Sequence, residues 1–298
     1  MNEYVESDAV MLADVLTPVL FVLVWSTGFI VAKFGLPYAP PLTFLLLRYS
    51  CVLVILLPTL FWLHAPWPIG KVRHIAVAGV LVQAGYLSGV WSAIKLGMPA
   101  GLAALIVGLQ PVLTGFSSRW VGERVGVRQW TGLLLGLAGV VLVVKDKLTL
   151  DGTSVAGVLL CVMGLLSITA GTMYQKRFCP AFDVRSGALI QFAAAAAVTL
   201  PLAWWFEGLE PGLRTVQWTP QFIGALSWAV LALSIGAMFL LYALIRKSAA
   251  THVSSLMYLT PAVTALMAWW LFDESFTLIG ALGILLAAAG VAFVVVKK

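Results

Sequence analysis

Charged residues are scarce in this sequence. Only 10% of its 298 residues are charged, whereas 61% are hydrophobic and the mean hydropathy is +1.02. Typical soluble domains carry about 25% charged residues, and a water-soluble fold of this length cannot bury so much apolar surface. The composition therefore excludes a soluble globular protein. A bilayer core of about 30 Å is crossed by about 20 apolar residues in a helix, so the length allows about ten spans with short loops.

Residues that hold metals or catalyse reactions are also few and ungrouped. None of the three cysteines has a spacing that suggests a disulfide or a zinc site: Cys51, Cys161 and Cys179. No HExxH motif and no intramembrane aspartate pair is present. His252 lies beside Ser254, but no acid is placed to orient it as a catalytic base. We therefore expect no metal, no cofactor and no enzymatic activity.

Acidic residues are missing from the apolar runs. All twelve lie at or beyond the ends of the predicted helices. Carboxylates that relay protons normally lie within spans, so this absence argues against strong proton coupling. His252 titrates in a useful range, but it stands at a predicted helix start near Arg246 and Lys247, which favours a topological or capping role. We favour an uncoupled facilitator.

Ten apolar runs are separated by charge clusters and by Pro or Gly pairs. Each predicts a membrane-spanning helix, at about 15–35, 42–63, 74–94, 100–120, 127–144, 153–175, 184–206, 220–245, 250–272 and 276–296. The segment from Lys145 to Gly152 is the predicted connection between two halves, 1–148 and 149–298. Because the N-terminal residues lack the basic segment of a signal peptide, the first run should be retained as a span.

Basic residues are distributed unevenly between the loops. If the N-terminus is cytoplasmic, twelve of the eighteen Lys and Arg fall on the cytoplasmic side, five on the other side, and Arg48 inside a span. This bias obeys the positive-inside rule and predicts that both termini are cytoplasmic. The net charge of +6 is then a topology signal, and we expect no nucleic-acid surface.

Two segments of the chain resemble each other. One begins at Ala103 (AALIVGLQPVLTGFSSRWVGERVGVRQWTGLLLGLAGVVLVVK) and the other at Val253 (VSSLMYLTPAVTALMAWWLFDESFTLIGALGILLAAAGVAFVVVK). The matching positions are Pro111 with Pro261, Glu123 with Glu274, Gly132 with Gly283, and Ala138-Gly139-Val140 with Ala289-Gly290-Val291. A five-helix unit crosses the bilayer an odd number of times, so its second copy must insert upside down, as in many secondary transporters. We predict an all-α membrane protein of two inverted five-helix repeats around a central cavity.

Three stretches are similar to EamA-type transporters of the drug/metabolite transporter superfamily: WSTGFIVAKFGL, PLTFLLLRYSCVLVILLP and AIKLGMPAGLAALIVGLQPVLTGFSSRWVGERV. The resemblance covers nearly the whole chain and is strongest to aromatic amino-acid exporters of the YddG kind. It implies export of metabolites or amino acids across a bacterial inner membrane. Proton-coupled members often use a buried carboxylate, which the sequence does not reveal. The alternatives are a proton-coupled drug/metabolite antiporter and, from other classes, a channel or an intramembrane enzyme.

Polar and aromatic residues at helical spacing inside the runs are the candidate cavity lining. Polar groups there are costly if they face lipid, and an aromatic wall with few hydrogen-bonding groups suits a flat or apolar amino acid. For any single aromatic residue, packing or a lipid-facing belt is the alternative. The predicted lining is Trp25, Ser26, Gln83, Tyr86, Trp91, Gln110, Ser167, Tyr174, Met238, Tyr242 and Tyr258.

A second group of residues has predicted structural or gating roles. Arg48 either binds a substrate carboxylate through its planar fork or pins neighbouring helices together. The prolines of the repeat are expected to kink their helices, and the glycine faces of the fifth and tenth spans are expected to contact each other. Dimerisation through those faces is the alternative to a monomer. The residues are Arg48, Pro111, Pro261, Gly132, Gly136 and Gly283.

Overall fold

The computed structural model describes residues 2–62, 65–117, 120, 126–150, 154–208, 213–237, 240, 244, 259–274 and 277–295. Within these residues the regular structure is helical and contains no strand. Three of the predicted cavity residues, Met238, Tyr242 and Tyr258, lie outside the described part of the chain.

The helices follow one another along the chain with short connections. Their bounds are α1 Asn2–Gly35, α2 Pro41–Trp62, α3 Val72–Gly79, α4 Tyr86–Lys95, α5 Ala100–Val107, α6 Gln110–Ser117, α7 Val127–Leu150, α8 Val155–Phe178, α9 Val184–Glu207, α10 Pro220–Trp228, α11 Leu259–Phe272 and α12 Leu278–Val295. A first π-helical segment, Val80–Gly85, joins α3 to α4, and a second, Ala229–Gly236, continues from α10.

Six helical stretches of the described residues are long and apolar enough to cross a bilayer: Leu16–Gly35, Pro41–Pro58, Val72–Lys95, Ala100–Ser117, Val155–Phe178 and Val184–Glu207. Shorter apolar helices lie in the other four predicted runs, at Trp130–Gly139, Pro220–Gly236, Leu259–Phe272 and Leu278–Gly290. An all-helical protein with several membrane-spanning helices is thus confirmed in the part of the chain that the structure covers. The count of ten spans stays a prediction.

Several boundaries differ from the sequence prediction, beginning with α1, which starts at Asn2 instead of near residue 15. The predicted connection from Lys145 to Gly152 is helical as far as Leu150, where α7 ends. No Gly or Pro interrupts that stretch before Gly152, so the helix continues beyond its apolar part. The predicted fourth span is divided into α5 and α6 at Gly108 and Leu109. Pro111 has no backbone N–H to bond the carbonyl four residues earlier, so the helix restarts there.

Side-chain caps fix the starts of two helices. The Asp183 carboxylate accepts a hydrogen bond from the backbone N–H of Arg185 (2.9 Å) and pairs with its guanidinium (3.0 Å). The side-chain hydrogen bond from Arg185 is the main cause that lowers the pKa of Asp183. The Thr219 hydroxyl accepts from the N–H of Phe222, and Pro220 occupies the first turn of α10. Each cap bonds only within its own helix, so neither cap links two helices together.

The helices pack in pairs that join the two halves of the chain. α2 packs on α9, α4 on α8, α5 and α1 on α11, and α7 on α12. α2 and α9 run antiparallel, because the backbone N–H groups of Leu42 and Thr43 at the start of α2 donate to the Glu207 carboxylate at the end of α9 (2.7 and 2.8 Å). α5 and α11 also run antiparallel, since Gly101 faces Ala265 and Gly108 faces Pro261.

A glycine contact joins α7 to α12. A Cβ atom added at Gly290 would stand 2.5 Å from the Gly132 carbonyl oxygen and 2.5 Å from the Gly136 nitrogen. The two helices therefore approach to backbone contact, which only a residue without a side chain permits. Gly283 is also buried on α12. The small-residue faces of the fifth and tenth predicted spans are thus brought together within one chain.

Candidate functional site

The two π-helical segments collect hydrogen bonds from the helices around them. The Tyr49 hydroxyl on α2 donates to the Gln83 carbonyl (2.9 Å), and the Ser167 hydroxyl on α8 donates to the Leu81 carbonyl (2.8 Å). In the second segment Ser234 accepts from Arg48 Nε (2.8 Å) and donates to the Ala229 carbonyl five residues earlier (3.0 Å). π-helical turns often mark functional sites. Of the predicted set, Arg48 bonds to the second segment and Ser167 to the first through their side chains, and Gln83 accepts through its backbone carbonyl.

A second layer of polar contacts joins α1 to α11. The Ser26 hydroxyl donates to the Val22 carbonyl (2.7 Å) and stands 3.4 Å from the Thr260 carbonyl, while the Thr264 hydroxyl donates to the Ser26 carbonyl (3.1 Å). Trp25 is partly buried beside Phe21, with ring centroids 5.4 Å apart. The Thr260 hydroxyl is buried and has no hydrogen-bond partner among the described residues. This layer contains Trp25 and Ser26 and adds Thr260 and Thr264, which the sequence analysis missed.

The break between α5 and α6 supplies a third group. Gln110 Nε2 donates to the Thr172 hydroxyl on α8 (3.3 Å). Pro261 is buried, and its Cγ would be 2.6 Å from a Cβ added at Gly108. The two prolines of the repeat therefore lie at the crossing of α5–α6 with α11, where Pro111 interrupts one helix and Pro261 packs closely against it.

Three other candidates lie in different surroundings. Trp91 is 2% exposed and packs edge-on against Phe44 (4.8 Å between ring centroids), which is a core contact. Tyr86 is buried at the start of α4, and its backbone carbonyl lies against Gly164 of α8. The Tyr174 hydroxyl is hydrogen-bonded to His74 Nδ1 (2.8 Å) close to the end of α8.

Tyr174 belongs to an aromatic group that we call the Arg177 cluster: His74, Trp120, Tyr174, Arg177 and Phe178. The His74 ring stacks on Phe178 (5.1 Å, 7° between planes), and the Arg177 guanidinium lies 4.8 Å from the centre of the Trp120 ring. Arg177 Nη1 also donates to the Trp120 carbonyl (2.6 Å). The guanidinium thus holds the end of α8 against the segment that follows α6.

A buried ion pair, which the sequence analysis did not predict, joins another set of helix ends. We call this group of contacts and the Arg177 cluster the two closures. Glu274 follows the end of α11 and has only 7% of its side chain exposed. Its Oε1 accepts from Lys33 Nζ on α1 (2.6 Å), and its two oxygens accept from the backbone N–H groups of Ala100 (3.0 Å) and Gly101 (3.3 Å) at the start of α5. We call these four residues the Glu274 cluster. One carboxylate therefore joins three helix ends, with the favourable charge for a helix N-terminus.

The expectation that no carboxylate is buried was wrong in this respect. Glu274 lies beyond a helix end, as predicted, but the chain folds it back, since Asp273 has a left-handed backbone (φ 52°). The match of Glu274 with Glu123 in the repeat was the one available signal. Lys33 and Lys95 stand near the ends of their predicted spans, where the sequence alone predicts residues at the membrane interface. Lys33 forms this ion pair, and Lys95 donates to the Leu36 carbonyl (2.5 Å).

The Glu274 and Arg177 clusters lie at opposite ends of one helical run. The run Val72–Lys95 comprises α3, the first π segment and α4. Its start carries His74 of the Arg177 cluster, and its end carries Lys95, which is bonded to Leu36 at the end of α1 near Lys33. Its 24 residues correspond to about 36 Å, enough to cross a bilayer core. The polar layers lie between the two closures.

Among the residues described, no group of three or more His, Cys, Asp or Glu could hold a metal ion. The charged and polar groups instead bond to one another, to helix ends and to carbonyls of the π segments. Such an arrangement can bind and pass a small solute between helices.

Comparison with known proteins identifies the family. The sequence profile of the EamA-like transporter family matches residues 12–145 and again residues 155–296, so the two matches cover nearly the whole chain. This chain belongs to the EamA-like transporter family. The family, a relative described as an inner membrane transporter and the several apolar helices together support a multi-pass inner membrane protein.

Several transporters are similar to this EamA-like protein. The uncharacterized transporter YvbV of Bacillus subtilis is 29% identical over 93% of this chain and 90% of its own length. The uncharacterized inner membrane transporter YedA of Escherichia coli K12 is 28% identical over 89% of this chain and 86% of its own. A probable amino-acid metabolite efflux pump of Salmonella typhimurium is 30% identical, but over only 53% of this chain and 52% of its own. A protein crystal structure that is 21% identical matches with a TM-score of 0.67 over 93% of this chain and 94% of that one, which supports the fold alone.

Proposed function

We propose that this protein exports small metabolites across the inner membrane, principally aromatic or other apolar amino acids, by alternating access and as an uncoupled facilitator. Membership of the EamA-like family and relatives described as transporters support export of a small solute. A relative described as a probable amino-acid metabolite efflux pump, similar over about half its length, supports the amino-acid class. In this proposal the protein is not an enzyme and requires no cofactor.

The observation that carries the mechanism is the antiparallel packing of corresponding helices. α2 and α9 are the second helices of their halves, and α5 and α11 belong to the two matching spans that carry Pro111 and Pro261; each pair runs antiparallel. Pro111 and Pro261 are 150 positions apart, and residues 230–235, which lie 150 positions beyond the first π segment, fall within the second. This supports two inverted five-helix repeats, residues 1–148 and 149–298, in a ten-helix fold.

The solute path is proposed to run between the two closures. Trp25, Ser26, Gln83, Gln110 and Ser167 stand in the polar layers between the Glu274 and Arg177 clusters, and we propose that they line the binding cavity. Tyr86 and Trp91 are deeper in the helix packing, and Tyr174 is at the Arg177 closure. Because both closures link different helices, an alternating-access cycle has to open one of them while the other holds.

A proton-coupled antiporter is the second candidate, and a specific observation favours it. Glu274 is a buried carboxylate bonded to Lys33, and intramembrane carboxylates with a named partner are typical of proton relays. In proteoliposomes with equal substrate on both sides, an imposed proton gradient drives accumulation only if transport is coupled. We expect none, and accumulation would replace the facilitator by the antiporter.

Counterflow is the decisive test of the proposed function. Proteoliposomes preloaded with unlabelled phenylalanine, tryptophan or leucine should take up the same labelled amino acid transiently and saturably above its equilibrium level. Lysine and glutamate loaded in the same way serve as controls, because an apolar cavity should not exchange them. Absence of counterflow for every aromatic and aliphatic amino acid would show that this substrate class is wrong. Non-saturable flux would indicate a channel.

The proposed topology makes a separate prediction. With both termini cytoplasmic, a cysteine at position 71 faces the cytoplasm and one at position 145 faces the opposite side. In a background without the three native cysteines, a membrane-impermeant maleimide added to intact spheroplasts should label Lys145→Cys and leave Lys71→Cys unlabelled. Inverted vesicles should give the reverse. Labelling of both from the same side would contradict the inverted repeat.

A further inference from the structure

The guanidinium of Arg48 is buried without a counter-ion among the residues that the structure describes. Arg48 is 7% exposed and lies in α2 between Leu47 and Tyr49 of the apolar core. Its Nε donates to the Ser234 hydroxyl (2.8 Å), and this is the single hydrogen bond that it makes among the described residues. The ion pairs found there are those of Lys33 with Glu274 and of Arg185 with Asp183, so no described carboxylate pairs with Arg48.

A charge in this position is expensive unless something binds it. A guanidinium carries five N–H donors, and Arg48 uses one of them. Charged side chains within membrane spans normally face a protein partner or a water-filled path, and they mark substrate or ion pathways. A purely structural pin would be expected to use the outer nitrogens as well, on carbonyls of neighbouring helices. Arg48 instead keeps Nη1 and Nη2 without protein partners among the residues described.

The single bond that Arg48 does make fixes its orientation. Ser234 is anchored in turn, because its hydroxyl donates to the Ala229 carbonyl within the second π segment. With Nε held on one edge, the two Nη groups remain as an end-on fork, which matches the two oxygens of a carboxylate. The sequence analysis left open whether Arg48 pins helices or binds substrate; the geometry divides these roles between Nε and the two Nη nitrogens.

The surroundings fit the carboxyl end of an amino acid. α1 passes close to the second π segment at Gly28, where an added Cβ would be 3.8 Å from Leu233. Ser26, two residues earlier, lies on the opposite side of α1, where it faces Thr260 of α11. Tyr49 follows Arg48 in α2, and both Tyr49 and Tyr86 are buried in the same core. The Ser234 hydroxyl and the aromatic ring of the neighbouring Tyr49 therefore lie beside Arg48, and both kinds of group suit the part of an amino acid next to its carboxylate.

We propose that Nη1 and Nη2 of Arg48 bind the carboxylate of the transported solute, while Nε and Ser234 hold the guanidinium in place. This inference rests on the proposed function and narrows it, since it assigns the substrate class to monocarboxylates such as free amino acids. Decarboxylated amines and amides of the same side chain are then poor substrates, whatever their hydrophobic fit.

The wild-type protein provides the first test. Counterflow of labelled phenylalanine is challenged with unlabelled phenylalanine, with phenylalaninamide and with phenethylamine, which share the ring and differ at the carboxyl group. Loss of a charge-assisted, bidentate pair should weaken competition about 10-fold or more for both analogues. Competition by the amide and the amine within threefold of phenylalanine would overturn the proposal without any variant having to fold.

Variants then separate binding from support. Arg48→Met should raise the half-saturating phenylalanine concentration about 10-fold or more and leave competition by phenethylamine unchanged, because the amine does not use the fork. Arg48→Lys should recover only part of the affinity, since an ammonium cannot make the planar pair. Arg185→Gln, at a partly exposed arginine outside the polar layers, is the matched control and should behave as wild type.

The two proposals fail in different ways. If wild-type protein exchanges phenylalanine and the folded Arg48→Met variant exchanges it with unchanged half-saturation, the carboxylate site is wrong and the exporter remains. If wild-type protein exchanges no amino acid, the proposed function is wrong and the inference falls with it.

Discussion

Replacing Glu274 with alanine is expected to expose the middle of α1 to solvent on the side of the membrane that carries the Glu274 cluster. In the described structure this carboxylate is the one group that links the ends of α1, α11 and the start of α5. Removing one partner of a buried ion pair costs about 3–5 kcal/mol. Because 33% of the Lys33 side chain is exposed, we expect loss of the ion pair to destabilise the closed state by roughly 2 kcal/mol. This corresponds to a shift on the order of 30-fold in the population of the closed state.

A cysteine at position 26 reports this opening. Ser26 is fully buried on α1, seven residues before Lys33 or about 10 Å deeper, and Ser26→Cys is nearly isosteric. In a background without native cysteines, the rate of labelling by an impermeant maleimide should rise on the order of 30-fold in Glu274→Ala. The reagent is applied separately to intact spheroplasts and to inverted vesicles, and only one of these preparations should show the increase.

Asp183→Asn is the matched control for this experiment. Asp183 and Arg185 form an ion pair with a 3.0 Å distance, but they are two residues apart, partly exposed and confined to the start of α9. Exposed pairs contribute about 0–1 kcal/mol, so labelling at position 26 should not change. Lys33→Met should resemble Glu274→Ala, and the double variant should be less than additive. Equal labelling in Glu274→Ala and Asp183→Asn would exclude the ion pair as a closure.

Gly290→Ala is expected to destabilise the protein, and to do so more than the same change at Gly136. The new Cβ would stand 2.5 Å from both the Gly132 oxygen and the Gly136 nitrogen. These are backbone atoms of α7, so they cannot yield by a rotamer change, and the helices must separate. Overpacking costs about 1–3 kcal/mol, and the upper end applies to contact with backbone. The apparent Tm in detergent should fall by roughly 5 °C.

The same change at Gly136 has the opposite expected result. A Cβ added at Gly136 meets nothing within 4 Å, although its backbone touches Gly290. Gly136→Ala should therefore leave the apparent Tm unchanged or raise it, since Ala exceeds Gly in helix propensity by about 1 kcal/mol. Both variants are compared by thermal unfolding and by elution volume. A destabilised Gly136→Ala with an intact Gly290→Ala would mean that α7 and α12 meet through other faces.

The sequence predicted those parts of the fold that depend on composition along one helix. Apolar runs predicted the helices, and glycine spacing predicted that the fifth and tenth spans would approach closely, because both signals are local. The ten-span count and the topology stay predictions. Among the candidate cavity residues, Ser26 and Gln110 make polar contacts in the described structure, whereas Trp91 packs on Phe44. Aromatic residues at helical spacing do not show by themselves which side of a helix faces a neighbour.

The features that the sequence could not predict depend on chain geometry in three dimensions. Glu274 is buried because the backbone reverses at Asp273 and meets α5 from another part of the chain. The π segments depend on one extra residue per turn, which leaves no clear compositional mark. The bond from Arg48 to Ser234 joins residues 186 positions apart. In each case the decisive contact joins distant segments, where helical periodicity carries no information.

The backbone contact between α7 and α12 limits how the molecule can change shape. One helix comes from each half of the chain, and Gly290 touches the main chain of α7 without an intervening side chain. Sliding along α7 would carry Gly290 away from Gly132 and Gly136 toward positions that carry side chains, so this contact opposes translation. The two halves can still tilt about the contact between α7 and α12, and the helices farthest from this contact then move the most.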